Sequence, residues 1–114
     1  MSSFLTDLIS NRSFDRYQDA LRSRFRANRL AYDTVYSTQT PNPTLLIRLS
    51  SANRLGEMCV WESGECDVVM GRLDKGSISH THNLIATEDE FHQTIADLFL
   101  WVVDSPLSQV IQGV

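Results

Sequence analysis

The sequence predicts an α+β fold: an antiparallel four- to five-stranded meander sheet flanked by an N-terminal and a C-terminal helix. Two features predict it. Apolar residues recur at helical intervals near both ends of the chain, whereas the middle alternates with a period of two and is divided by Gly- and Pro-containing turns. The 114 residues, of which 42% are hydrophobic, suffice for a core without disulfides or metal, so we expect residues 1–114 to form a single α+β domain.

The first helix is predicted from Ser13 to about Asn28, with Asn11 or Ser13 as its N-terminal cap. Its expected core face consists of aromatic and aliphatic residues three or four positions apart: Phe14, Tyr17, Leu21 and Phe25. Before it, residues 1–12 favour one or two further helical turns.

The last helix is predicted over residues 88–103. Thr87 and Glu90 have the spacing of a capping box, in which each side chain binds the other residue's backbone N–H. The expected core stripe contains Phe91, Ile95, Leu98, Phe99 and Val102. Leu100, Trp101 and Val103 extend this apolar surface, either as a buried helix end or as an interface patch. Residues 107–114 favour a final apolar turn.

The middle of the chain predicts strands near residues 30–38, 44–51, 58–62, 65–70 and 77–85, with turns at 40–43, 52–56 and 73–77. The last strand is polar, as expected of an edge strand, and places Ile78, His80, His82 and Leu84 on one side. Helices at both ends of a meander cover one sheet face, so the other face is predicted to be open for binding.

The hairpin at Met58–Met70 is the strongest local signal. A two-residue turn at Ser63-Gly64 would place Trp61 opposite Cys66 and Cys59 opposite Val68. Cys59, Trp61, Cys66 and Val68 would then share one face, and Met58, Val60, Asp67 and Val69 the other. The two cysteines would be diagonal neighbours, which disfavours a disulfide and predicts reduced thiols.

The net charge of −4 disfavours nucleic acid and anionic membranes as partners of the whole molecule. Six of the ten basic residues lie between Arg12 and Arg29, so this helix could contact nucleic acid. Acidic residues alternate with the arginines, and this pattern favours a solvated face instead. The N-terminus lacks the pattern of a signal peptide, and the longest apolar run, residues 98–103, is too short to span a bilayer. We therefore expect a cytoplasmic protein.

One pattern suggests metal binding. His80 and His82 lie two residues apart on a strand, and His92 or an acid at 88–90 would be a third ligand. Two histidines on an exposed strand are common without metal, however, and the cysteines lie on strands where nothing lowers their pKa. The sequence contains no G-x-S-x-G motif and no glycine-rich phosphate loop. It therefore predicts no enzyme and no catalytic, cofactor-binding or metal-binding residues.

The run Cys59–Asp67, C-V-W-E-S-G-E-C-D, resembles the V-W-E-S-G-x-C segment of the TriTu family of bacterial immunity proteins. The order of a helix, a Pro/Asn-rich turn, an apolar strand, this hairpin and a capped C-terminal helix is also similar. The resemblance implies a cytoplasmic protein that binds and neutralises a cognate toxin. It supplies no catalytic residues.

The acidic region 31–114 would suit a basic, nuclease-type toxin, because opposite charges speed association and select partners. On this reading the partner-binding residues are those at or near the hairpin turns: Trp61, Glu62, Glu65, Asp67 and Asp74. Trp61 has an alternative role in the core. Two other functions remain open: a secretion chaperone, which would be an acidic dimer, and a metal-dependent hydrolase using His80 and His82. The sequence leaves a monomer and a homodimer equally open.

Overall fold

A computed structural model of the protein describes residues 3–103 and confirms the α+β prediction. Its five-stranded antiparallel meander has the strand order β1-β2-β3-β4-β5. Two helices precede the sheet in the chain and one helix follows it. In chain order the elements are α1 (Ser3–Ile9), α2 (Asp15–Ala27), β1 (Ala31–Ser37), β2 (Thr44–Ser50), β3 (Arg54–Trp61), β4 (Glu65–Arg72), β5 (Ser77–Leu84) and α3 (Glu88–Val103). The predicted tail at 107–114 lies outside the described residues.

The helices cover one face of the sheet, as predicted. Helix α3 packs on β2 and β3, and α2 packs on β1. The core between these layers is almost entirely apolar; its largest buried side chains include Phe14, Phe25, Phe91, Met58 and Leu98. All five residues of the predicted α3 stripe are buried. Of the core face predicted for the first helix, Phe14 and Phe25 are buried, whereas Tyr17 is 36% exposed.

The hairpin register differs from the prediction by one residue. Val60 pairs with Cys66 and Cys59 with Asp67, because the turn contains three residues, Glu62 to Gly64, rather than two. Gly64 has φ of +102°, a conformation that ends a three-residue hairpin loop and that glycine adopts without steric cost. Since side chains alternate along a strand, a shift of one residue in the pairing turns the side chains of β4 to the opposite face relative to those of β3.

The corrected register separates the two cysteines. Cys66 and Val68 join Met58 and Val60 in the core, and the side chains of Cys59, Trp61, Asp67 and Val69 lie on the uncovered face. Both cysteines are free thiols.

The helix ends gave one correct and one wrong prediction. In the capping box, Glu90 N–H donates to Thr87 Oγ1 at 3.1 Å and Thr87 N–H donates to Glu90 Oε1 at 3.1 Å. Neither Asn11 nor Ser13 caps α2. The residue before this helix is Phe14, and backbone carbonyls of Arg12 and Ser13 already accept the first N–H groups, so no side-chain cap forms.

The turn predicted at 52–56 is shorter in the structure, because β3 begins at Arg54. Arg54 and Gly56 point into the helix layer and are buried. The buried arginine made this segment resemble a loop in the sequence.

Candidate partner-binding face

The sheet face that the helices leave uncovered is the candidate site, and we call it the open face. Strand pairing places four rows of side chains across it. On β3 to β5 it presents Leu55, Glu57, Cys59, Trp61, Glu65, Asp67, Val69, Gly71, Ile78, His80, His82 and Leu84. No helix packs on this side within residues 3–103.

The open face is acidic. Asp33, Glu57, Glu65 and Asp67 contribute four carboxylates, whereas Arg48 is its one arginine. Arg48 Nε lies 3.3 Å from Glu57 Oε2, so the ion pair of this arginine is with β3 rather than with the carboxylates of β4. The negative charge is therefore concentrated beside β5.

Two histidines of β5 face these carboxylates. His82 Nδ1 lies 2.5 Å from Asp67 Oδ1, and His82 Nε2 lies 3.5 Å from Glu65 Oε1. His80 Nε2 is 3.6 Å from Asp67 Oδ1. The hydrogen bond from His82 is the main reason why the pKa of Asp67 lies below its ordinary value of 3.8. Asp67 is thus ionised and oriented at neutral pH.

The structure brings three of the five predicted partner-binding residues together. Trp61, Glu65 and Asp67 lie on the open face near the β3–β4 turn, with Trp61 half-buried beside Thr44 of β2. Their role as partner-binding residues stays a prediction.

Glu62 has a different environment. Its carboxylate accepts hydrogen bonds from the backbone N–H of Ser10 at 3.1 Å and from the Ser10 hydroxyl. Its own N–H donates to Pro43 O at 2.9 Å. Glu62 therefore joins the end of α1 to the hairpin turn, a structural role that the sequence did not indicate.

Asp74 lies at the opposite end of β4, in the turn before β5. Arg72 Nη2 donates to its Oδ2 at 3.0 Å, and this hydrogen bond holds the pKa of Asp74 below its ordinary value. Glu65 and Arg72 are the two ends of the eight-residue strand β4, which corresponds to a distance of about 23 Å along the strand. Asp74 is therefore not part of the cluster around Asp67.

The hairpin motif has a structural explanation at each remaining position. Ser63 N–H donates to Asn42 Oδ1 at 3.2 Å, and Asn42 Nδ2 donates to Ser63 Oγ at 3.1 Å. Gly64 is buried with a positive φ, and Cys66 is a core residue. Burial raises the pKa of the Cys66 thiol to about 12, so it is not a thiolate nucleophile at neutral pH.

The histidines do not converge on one point. His92, the proposed third ligand, lies in α3 with its ring 5.1 Å from that of Tyr17, on the helix side of the sheet. His80 and His82 lie on the open face. Within residues 3–103, no three His, Cys, Asp or Glu side chains form a group suited to hold a metal ion.

Sequence reasoning missed a small apolar pocket on the open face. Gly71 leaves a depression of about 170 Å³ between Leu55, Val69 and Ile78. A Cβ built on Gly71 would have no neighbour closer than 3.7 Å, so the fold does not require glycine there. A glycine inside a paired strand was the available signal, since it often marks close approach of another group.

Two of the four arginines of α2 lie over aromatic rings. The guanidinium of Arg24 lies 4.6 Å from the Phe99 ring centroid, and that of Arg22 lies 5.8 Å from Tyr32. Arg12, just before the helix, lies 4.5 Å from the Tyr36 ring. These contacts give the basic segment a role in stabilising the helix layer.

Comparison with known protein families agrees with the resemblance between the hairpin sequence and the TriTu segment. The family described as "Immunity protein TriTu" matches residues 12–101, which include α2, the whole sheet and most of α3. The chain belongs to the TriTu immunity protein family. Its matched region contains the open face and the carboxylate–histidine cluster. A search of curated proteins found no match.

Membership in the TriTu family suggests a toxin-neutralising role. No helix within residues 3–103 is long and apolar enough to cross a membrane.

Proposed function

We propose that the protein is a cytoplasmic immunity protein that binds its cognate bacterial toxin and neutralises it by direct protein–protein contact, without catalysis. The family match over residues 12–101 carries this proposal. The open acidic face supports it, because a sheet face without a covering layer leaves both charged and apolar side chains accessible to a partner.

The proposed partner is a basic, nuclease-type domain. Carboxylates on the open face would pair with the cationic groups that such a domain uses to hold phosphates. Trp61, Glu65 and Asp67 are the proposed contact residues. Glu62 and Asp74 are proposed to contribute only at the margins of the contact. Their carboxylates already accept hydrogen bonds from Ser10 and Arg72, which leaves them less available to a partner.

Co-expression tests the function directly. The toxin encoded by the neighbouring gene is induced in a host without its own immunity, with and without this protein. We expect survival only with the protein, and a stoichiometric complex when both are purified. Continued killing, together with no complex at micromolar concentration, would contradict the proposal.

A pair of double variants tests the face. Glu65→Gln with Asp67→Asn removes two negative charges from the open face. Asp19→Asn with Asp97→Asn removes two exposed charges from the helix layer. We expect the first pair to weaken toxin binding at least about tenfold, chiefly through slower association at low salt, and the second pair to change it by less than about threefold. Equal losses would exclude the open face as the contact surface.

A further inference from the structure

The outer edge of β5 carries a set of backbone groups that no strand within residues 3–103 pairs with. Their direction follows from one hydrogen bond. Ile85 N–H donates to Gly64 O at 2.7 Å, which makes Gly64 and Ile85 a hydrogen-bonded pair in register with β4 and β5. In antiparallel strands hydrogen-bonded and non-hydrogen-bonded pairs alternate.

This alternation determines, for every residue of β5, whether its backbone N–H and C=O groups point toward β4 or toward the free edge. The pairs Cys66–Asn83 and Val68–Thr81 are hydrogen-bonded, so Asn83 and Thr81 direct their N–H and C=O groups toward β4. The intervening residues direct theirs to the free edge: Ile78, His80, His82 and Leu84. The side chains of these four residues lie on the open face. A segment that pairs with this edge would therefore contact both their backbone groups and the side chains of the open face.

The edge has none of the usual features that prevent strand addition. Over eight residues β5 contains no Lys, Arg, Asp, Glu or Pro. Every residue of β5 is exposed, Ile78 by 78% and Leu84 by 73%. A long, uncharged edge of this kind is a template for pairing with another chain.

The row beside β5 indicates the chemistry of that chain. Glu65 and Asp67 of β4 lie on the open face next to the edge strand, and the Gly71 pocket lies farther along the same strand. An added strand with Lys or Arg at alternate positions would direct these side chains over the histidines toward the carboxylates. An apolar side chain four residues along from the position beside Asp67 would lie beside Ile78, next to the pocket at Gly71.

We propose that β5 is extended by a strand of the cognate toxin, an extended segment with basic side chains on the open face and an apolar one at the Gly71 pocket. This inference rests on the proposed function and adds the mode of recognition: backbone pairing gives affinity, and the row of Glu65 and Asp67 selects a basic segment. A second copy of this chain fits less well. Its β5 contains no cationic Lys or Arg, and it would place imidazoles opposite imidazoles.

Proline tests the backbone contact at His80. His80→Pro removes an N–H that points to the free edge, so the internal ladder keeps its hydrogen bonds, and proline is tolerated at such positions. His80→Val is the matched control, since it removes the imidazole and keeps the N–H. We expect His80→Pro to bind the toxin at least about tenfold more weakly than His80→Val, because the two variants lack the same imidazole and differ in the backbone N–H.

Residue-resolved hydrogen exchange gives a second measurement that needs no variant. In the free protein the amides of His80 and His82 should exchange quickly and those of Thr81 and Asn83 slowly. In the toxin complex all four should be protected.

The outcomes separate the two proposals. Strand addition would be overturned if the wild-type protein keeps cells alive but His80→Pro binds the toxin as tightly as His80→Val and the β5 amides exchange no more slowly in the complex. The immunity function would then remain intact. Protection of His80 and His82 without toxin, in a dimer that His80→Pro converts to a monomer, would assign the edge to a second copy and overturn the proposal. A wild-type protein that neither binds nor protects would overturn both.

Discussion

His82 Nδ1 lies 2.5 Å from Asp67 Oδ1, and this contact joins the edge strand β5 to β4 on the open face. His80 Nε2 lies 3.6 Å from the same Asp67 oxygen, which is beyond hydrogen-bond distance. The His82 hydrogen bond therefore orients this accessible carboxylate. The geometry favours the ionised form of Asp67, and the His82 hydrogen bond is the largest cause of its lowered pKa.

We predict that His82→Ala raises the pKa of Asp67 toward 3.8. A carboxylate with a lowered pKa in the folded state stabilises the fold above its ordinary pKa, and this contribution is lost as the pH falls from 3.8 through the lower folded value. An NMR titration of the Asp67 carboxyl carbon measures the midpoint. His92→Ala is the control and should leave it unchanged, because His92 lies in α3 against Tyr17. Identical midpoints in wild type and His82→Ala would contradict the assignment.

We predict that Gly56→Ala destabilises the protein by about 1–3 kcal/mol. A Cβ at Gly56 would lie 2.6 Å from Leu98 Cδ1 and 2.8 Å from Val102 Cγ2, so these buried side chains or α3 itself would have to move. Urea denaturation measures the change in the free energy of unfolding. Gly71→Ala is the matched strand control and should change it by less than about 0.5 kcal/mol, since its Cβ has room. Equal effects at the two glycines would show that strand propensity, rather than packing, decides the outcome.

Local patterns in the sequence predicted most of the fold. The alternation in β2 to β5 and the 3.6-residue period of α3 depend on neighbouring residues, so strand order, the capped start of α3 and the open face followed from them. The hairpin faces did not, because they depend on whether the turn has two or three residues, and this is decided by the positive φ of Gly64. A single loop residue thus placed Cys66 and Cys59 on opposite faces of the sheet rather than on the same face.

The candidate site was predicted less completely for a similar reason. The acidic character of the hairpin was visible in the composition, but the contacts that distinguish the carboxylates are between distant residues. Glu62 binds Ser10, 52 positions away, whereas Asp67 meets histidines of the next strand. The edge of β5 depends on the hydrogen-bonding phase of the ladder, which no sequence pattern specifies.

We predict that Arg54→Ala costs about 2–4 kcal/mol of the free energy of unfolding. Arg54 is only 4% exposed, its Nη1 donates to Trp101 O at 2.7 Å, and its guanidinium lies 4.7 Å from the Trp101 ring centroid. The loss would leave the end of α3 without this contact to β3. Arg54→Lys should recover only part of the stability, because an ammonium group lacks the planar stacking surface.

Arg48→Ala is the control for that measurement. Arg48 is exposed and forms an ion pair with Glu57, so its removal should cost less than about 1 kcal/mol. Thermal and urea unfolding both report the difference. A loss at Arg54 no larger than at Arg48 would contradict a structural role for the buried guanidinium.

We predict that alkaline pH destabilises the fold through the buried thiol of Cys66. Burial raises the pKa of Cys66 from 9.0 to about 12, so the folded state holds a proton that the unfolded chain releases above pH 9. The stabilisation is fully present below pH 9 and decreases as the pH rises toward 12, by at most about 1.4 kcal/mol per pH unit. Tyr32, whose pKa burial raises to about 12, adds a similar loss above pH 10.

Cys66→Ala isolates the contribution of the thiol. This variant should be less stable at pH 7, because it leaves a cavity beside Val60, but its free energy of unfolding should fall less steeply between pH 9 and 10 than that of wild type. That interval separates the thiol from the tyrosines, whose ordinary pKa is 10.0. Urea denaturation at half-unit pH steps measures both slopes. Parallel curves over this interval would mean that Cys66 titrates alike in the folded and unfolded chain, and would contradict its place in the core.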